Sequence, residues 1–194
     1  MEWSPDNSTG YTDYYKIYLK LQRLLYDFNS DCTWNFKNNT IIEALESHHY
    51  LIDLAAYAEY SLKIISVNVQ GSSNFSQEIF FRTYPSTPSS VRDISVNFKT
   101  NENSTLSAHL TWKSPCALNG KFALYTVSMH GSRKGFGSQE GVEAGQMNEI
   151  YLNNLRMGYT YDVEVKANVI KSNEHGNISG EPAKQKFVTP SGSE

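Results

Sequence analysis

The residues of this 194-residue chain that could do chemistry are few, and their spacing points away from catalysis. His48 and His49 are adjacent, so on an extended strand their rings face opposite sides and cannot chelate one ion together. They read as surface residues at the start of a strand. Cys32 and Cys116 lack the close spacing of a zinc or redox pair. There is no Gly-x-Ser-x-Gly elbow, no His-Glu-x-x-His and no phosphate-cradling Gly-Lys-Ser/Thr loop. No catalytic residue, cofactor or metal is therefore expected.

What the chain does offer is attachment and recognition. Five Asn-x-Ser/Thr sequons, at Asn7, Asn38, Asn74, Asn103 and Asn177, are acceptors for N-linked glycans, and all five fall in expected loops. Arg133 and Lys134, with Lys121, could form a small basic patch for a sulfated glycan, or simply a solvated turn. In "GSRKGFGSQEG" the aromatic Phe136 stands in a glycine-rich segment. It could meet a protein partner or fold back on its own sheet.

Elements must hold these residues in place, and the sequence supplies them twice. Tyr60, Leu62 and Ile64 alternate with Ser61 and Lys63; Tyr161, Val163, Val165 and Ala167 alternate with Asp162, Glu164 and Lys166. A period of two marks a half-buried strand. Leu54 precedes Tyr60 by six residues and Leu155 precedes Tyr161 by six, so the two copies lie 101 residues apart. Trp3 and Trp112 precede "YKIYLK" and "YTVSMH", whose Tyr15, Ile17, Leu19 and Tyr125, Val127, Met129 should point inward. "FRT" and "FVT" close the copies. A repeat of this length is a duplicated domain, each copy large enough for its own core.

The reading is all strand, favoured by thirteen tyrosines, nine phenylalanines and many β-branched residues. In the second copy strands are expected over 91–99, 106–112, 123–130, 137–143, 147–152, 160–169 and 184–189. In the first they are expected over 14–22, 32–37, 49–54, 59–68 and 78–83. "IIEALESHHYLIDLAAYAEY" has helix-forming residues, but its Leu54 and Tyr60 match a strand entry in the second copy. "YPSTPSS", with Pro85 and Pro88, reads as a short stiff linker. The domains are thus 1–84 and 85–190, with a tail over 191–194.

A net charge of −3 gives no case for nucleic acid. No apolar run approaches the length of a membrane span, and "MEWSPDN" lacks the basic and apolar regions of a signal peptide.

Tryptophan, then Tyr-x-Ile/Val, then Leu-x5-Tyr-x-Leu/Val-x-Ile/Val, then Phe-x-Thr resembles the fibronectin type III family, in two tandem immunoglobulin-like β-sandwiches covering nearly the whole chain. The resemblance implies that Trp3 and Trp112 are core, and that Tyr60 and Tyr161 form corners whose hydroxyls bond back to the backbone. One departure is clear. Only two residues precede Trp3, so the first module lacks its first strand and most of its second, and the chain reads as cut from something longer.

Such arrays imply an extracellular protein-binding or adhesion segment of a cell-surface receptor. Sequon-rich, tyrosine-rich modules look most like those of receptor-type tyrosine phosphatases; no Cys-x5-Arg loop is present, so any phosphatase activity would lie elsewhere. A structural spacer in an adhesion molecule or receptor kinase ectodomain is the alternative. Cytokine receptors are disfavoured, because they pair cysteines in the first module and carry Trp-Ser-x-Trp-Ser where this chain has "NISGEPAKQKF". Traced through two such sandwiches, Cys32 falls at the bottom of the first module and Cys116 at the top of the second, beside the linker. A Cys32–Cys116 bridge that fixes the angle between modules is expected, with a free buried thiol or a partner outside this chain as the alternatives.

Overall fold

A computed structural model describes residues 1–4, 11–33, 36–100, 106–171 and 176–191. All of its regular structure is β, in antiparallel sheets. The chain divides into two compact units: Met1–Tyr26 with Trp34–Tyr84, and Asp27–Thr33 with Pro85–Glu194.

The first unit is built on β1 (Tyr14–Leu24), β2 (Asn39–Ala44), β3 (Ala58–Asn68), β4 (Gly71–Ser72) and β5 (Ile79–Arg82). They form one sheet in the order β2-β1-β3-β4, with β5 also on β3. Ile17 lies between Ile64 on β3 and Ile42 on β2. Tyr15, Ile17, Leu19 and Leu21 with Tyr60, Leu62 and Ile64 make its buried face, and Trp3, Leu51 and Leu54 pack against that face. Burying Ile17 completely is worth roughly 1.5–3 kcal/mol.

Two strand expectations for this unit fail. The strand neighbouring β1 is β2; of the expected 32–37, residues 34–35 lie outside the described residues, and Cys32, Thr33, Phe36 and Lys37 are in no strand. Cys32 instead closes a turn, donating its N–H to the Asn29 carbonyl at 3.0 Å, while Asn29 Oδ1 takes the Asp31 N–H. Residues 49–54 form no strand either. Their expected partner is the segment around Trp3, and among the described residues that pairing is a single bridge, Glu2 to His48. It is flanked by bonds from Trp3 N–H to Ser47 O and from His49 N–H to Met1 O. Beyond it Asp53 and Tyr57 turn to positive φ (56° and 46°), which ends extended structure. Leu51 and Leu54 still reach the core.

The second unit is a two-sheet sandwich. One sheet holds β6 (Arg92–Thr100), β7 (Leu106–Lys113) and β10 (Glu149–Leu155) in the order β10-β7-β6. The other holds β8 (Phe122–Arg133), β9 (Phe136–Gly145), β11 (Thr160–Ile170), β12 (Asn177–Ser179) and β13 (Ala183–Val188). Its order is β12-β11-β8-β9, with β13 also on β11. Leu106, Ala108, Leu110 and Trp112 of one sheet meet Tyr125, Val127, Met129, Val163 and Val165 of the other.

"YPSTPSS" is not a free linker beyond Tyr84. Ser86 and Ser89 donate their N–H groups to Asn119 O and Ala117 O, Pro88 is fully buried, and its carbonyl accepts from Glu181. Pro85 onward is therefore knitted into the second unit. The lost proline donors cost nothing here, because the serine that follows each proline, Ser86 or Ser89, makes the bond.

Candidate interaction surface

The residues that repeat most exactly build a clasp in each unit. Tyr60 Oη accepts the Ala55 N–H at 2.8 Å, and Tyr161 Oη accepts the Arg156 N–H at 2.9 Å. Each ring stacks on the phenylalanine of the closing motif, Phe81 or Phe187. The threonine of that motif completes the arrangement. Thr83 Oγ1 accepts from Ala58 N–H and donates to Ala55 O, and Thr189 Oγ1 accepts from Tyr159 N–H and donates to Arg156 O. Burial pushes both tyrosine hydroxyls above their ordinary range, and the amide bond each accepts offsets part of that. Trp3 and Trp112 meet Tyr15 and Tyr125 edge to face at 5.1 and 5.2 Å. Trp112 is buried, whereas Trp3 is half-buried. These residues are structural pegs in both units.

The sequence reading placed Phe136 in a flexible connection. The strands in fact run on to Arg133 and resume at Phe136, so only Lys134 and Gly135 turn the hairpin, with Gly135 at φ +81°. The Arg133 guanidinium lies 4.3 Å over the Phe136 ring, a cation–π contact at an otherwise exposed tip. Phe136 is 60% exposed. Lys121 does not join this pair. It precedes β8 while Arg133 ends it, and twelve extended residues put the two roughly 40 Å apart. The basic patch therefore reduces to Arg133 and Lys134, with the arginine already over a ring.

Of the sequons, Asn7 and Asn103 lie outside the described residues. Asn38, Asn74 and Asn177 are all exposed. Asn177 opens β12 rather than lying in a loop. Ser76 of the Asn74 sequon also has a local task, since its hydroxyl accepts the Ile64 N–H at 2.9 Å and extends the sheet past β5.

Cys32 and Cys116 are disulfide-bonded, with Cα atoms 5.6 Å apart, inside the usual range for a bridge. Asp27–Thr33 belongs to the second unit, although β1 before it and β2 after it belong to the first. The bond therefore closes within the second unit and pins that excursion of chain there. Sequence reasoning, which placed Cys32 in the first module, had no signal for this detour. His48 lies 3.2 Å from Glu46, a surface pair.

A second exposed region was missed by the sequence reading. On the outer face of the first unit's sheet, Tyr18 and Phe75 meet edge to face at 5.1 Å, and Lys63 lies 5.7 Å over Phe75. Phe80 and Ile41 stand 67% and 60% exposed on the same face. The available signal was apolar residues at the outward positions of an alternating strand. Glu59 sits beside them between Arg23 and Arg82, at 2.5 and 2.6 Å, and hydrogen bonds from the two arginines hold its carboxyl below the usual range. An open cleft of about 730 Å³ lies between Trp3 and Phe75, and Tyr15 is the only titratable side chain among the described residues lining it.

No family model matches the chain. Over 145 residues, 71% of this chain, it is 26% identical to a Drosophila melanogaster protein named cytokine receptor. The chain spans 11% of that protein's length. The similarity thus runs to a receptor, of the class that the missing Trp-Ser-x-Trp-Ser segment weighed against. It lends no support to a phosphatase in particular. Together with two all-β units it fits tandem fibronectin type III-like modules of a receptor.

Proposed function

We propose that this chain is a protein-binding segment of the extracellular region of a cell-surface receptor, related to cytokine receptors. The observation that carries the reading is the similarity to a receptor over most of the chain. Exposed aromatic and aliphatic groups on sheet surfaces, Phe80 and Ile41 in the first unit and Phe136 and Val142 in the second, support binding over a passive spacer. A spacer has no use for apolar groups held in water. The receptor-type phosphatase parent suggested by the tyrosine-rich, sequon-rich composition has no observation beyond that composition.

The test is an array of secreted proteins probed with the secreted, glycosylated chain and with variants Phe80→Ser and Phe136→Ser. A protein-binding segment captures a defined ligand and loses it, by tenfold or more, in one of the two variants. No captured ligand, or a ligand indifferent to both changes, favours the spacer.

A further inference from the structure

We infer that β9 accepts an extended segment of another protein as an added strand of the second unit's five-stranded sheet. Among the described residues β9 forms a ladder only with β8, and beyond Ser138, whose carbonyl accepts from the Arg156 guanidinium at 3.5 Å, the other side of Gln139–Gly145 has no ladder partner for its backbone donors and acceptors. Natural edge strands are usually protected by proline, lysine or a bulge. β9 contains neither proline nor lysine. Its single register slip falls opposite Gly131 and Arg133, at the turn end, and leaves Gln139–Gly145 in regular register with β8.

The sequons single out the same edge. The two five-stranded sheets have four edges between them. Asn38 immediately precedes β2, Asn74 lies between β4 and β5, and Asn177 opens β12. Three edges therefore carry a glycan acceptor. β9, the fourth, carries none.

The side chains of β9 indicate what kind of strand fits. Gly141 and Gly145 pair with the inward-facing Met129 and Tyr125, so their missing side chains leave the core side of the edge bare. A β-carbon on Gly145 meets nothing within 4 Å, and on Gly141 it meets only the tip of Met129. An incoming strand can lay apolar side chains over these glycines, as aromatic residues do over edge glycines elsewhere. On the solvent side stand Val142, 72% exposed, and Glu140, held by His130. The strand carries Glu140 on this side and has no lysine or arginine. A second copy of β9 is thus a poor occupant. Centred on Gly141 it sets glycine against glycine, and centred on Glu140 it sets like charges opposite each other. The fitting occupant alternates apolar residues with polar ones that include lysine or arginine.

The inference rests on the extracellular reading only for the glycans, and the experiment separates the two. A random decapeptide display library is selected on the secreted whole chain, whose sequon occupancy is measured in parallel. Strand addition predicts enriched peptides that alternate apolar with polar or basic residues. Their binding slows amide exchange in Gln139–Gly145 by about tenfold or more and leaves β2 unchanged. Gly145→Phe, which fills the open space without touching the backbone, weakens these peptides about tenfold, and Glu140→Lys weakens the basic ones. Peptides without alternation, unchanged exchange in β9, no enrichment at all, or a dimer that protects β9 overturns the proposal. Bare Asn38, Asn74 and Asn177 count against the extracellular reading alone, since the peptide result is read on the same protein.

Discussion

Gly131 lies directly across the ladder from Tyr161, so close beneath its ring that a β-carbon at Gly131 would overlap the ring carbons. The corner tyrosine of the second unit is thus seated on a residue that has to be glycine. Its ring is fully buried. Gly131→Ala should destabilise the second unit by about 1–3 kcal/mol through overpacking. Thermal unfolding of the whole chain measures this, and an unchanged transition shows that the ring has room to move.

Removing the corner hydroxyls tests the other half of the clasp. Tyr60→Phe and Tyr161→Phe each leave a backbone N–H, of Ala55 or Arg156, without its partner. Each should cost about 1–3 kcal/mol in its own unit. Because Thr189 bonds the carbonyl of the same Arg156, Tyr161→Phe and Thr189→Val should be non-additive in a double-mutant cycle. Strict additivity would separate two contacts that the geometry joins.

How much of this was legible in the sequence follows from what period-two patterning can and cannot encode. Inward Tyr15, Ile17 and Leu19 and their counterparts Tyr125, Val127 and Met129 were readable, because alternation assigns a face directly. The strand next to β1 was misplaced because "CTWNFK" and "NTIIEA" alternate equally well. What separates them is a disulfide and an Asx turn at Asn29, which are tertiary and local facts invisible to periodicity. The threonines of "FRT" and "FVT" were readable as a repeat but not as a clasp, since their partners lie roughly thirty residues away. Phe80 was hidden by the assumption that outward positions are polar.

The pH dependence has two limbs. Glu59, Asp93 and Glu164 are held below the usual carboxylate range, first by hydrogen bonds from Arg23, Lys113 and Lys184 respectively. A lowered folded value contributes stability above the unfolded value, near 4.5 for glutamate, that is lost as pH falls through the folded one. Tyr60 and Tyr161 are raised by burial, so their contribution is complete below pH 10.0 and disappears as pH rises beyond it. Through these groups stability should fall at both the acid and the alkaline end. Glu59→Gln should soften the acid limb, and Tyr161→Phe should shift the alkaline one. Denaturant midpoints across pH check both, and unchanged limbs in the variants contradict these assignments.

Reduction probes the pinned excursion. A bond across a sequence separation of 84 should contribute roughly 4.5 kcal/mol on the chain-entropy estimate. Reduced protein, or Cys32→Ser with Cys116→Ser, should therefore unfold at lower denaturant, and cleavage by protease should appear first within Asp27–Thr33. Protection of that segment in the reduced form would show that other contacts hold it.

The central claim, an extracellular receptor segment, is tested most directly by peptide mapping of the protein isolated from the surface of its own cells. The account predicts N-linked glycans on Asn38, Asn74 and Asn177 and a single peptide pair joined through Cys32 and Cys116. Bare asparagines together with free, alkylatable thiols would contradict it.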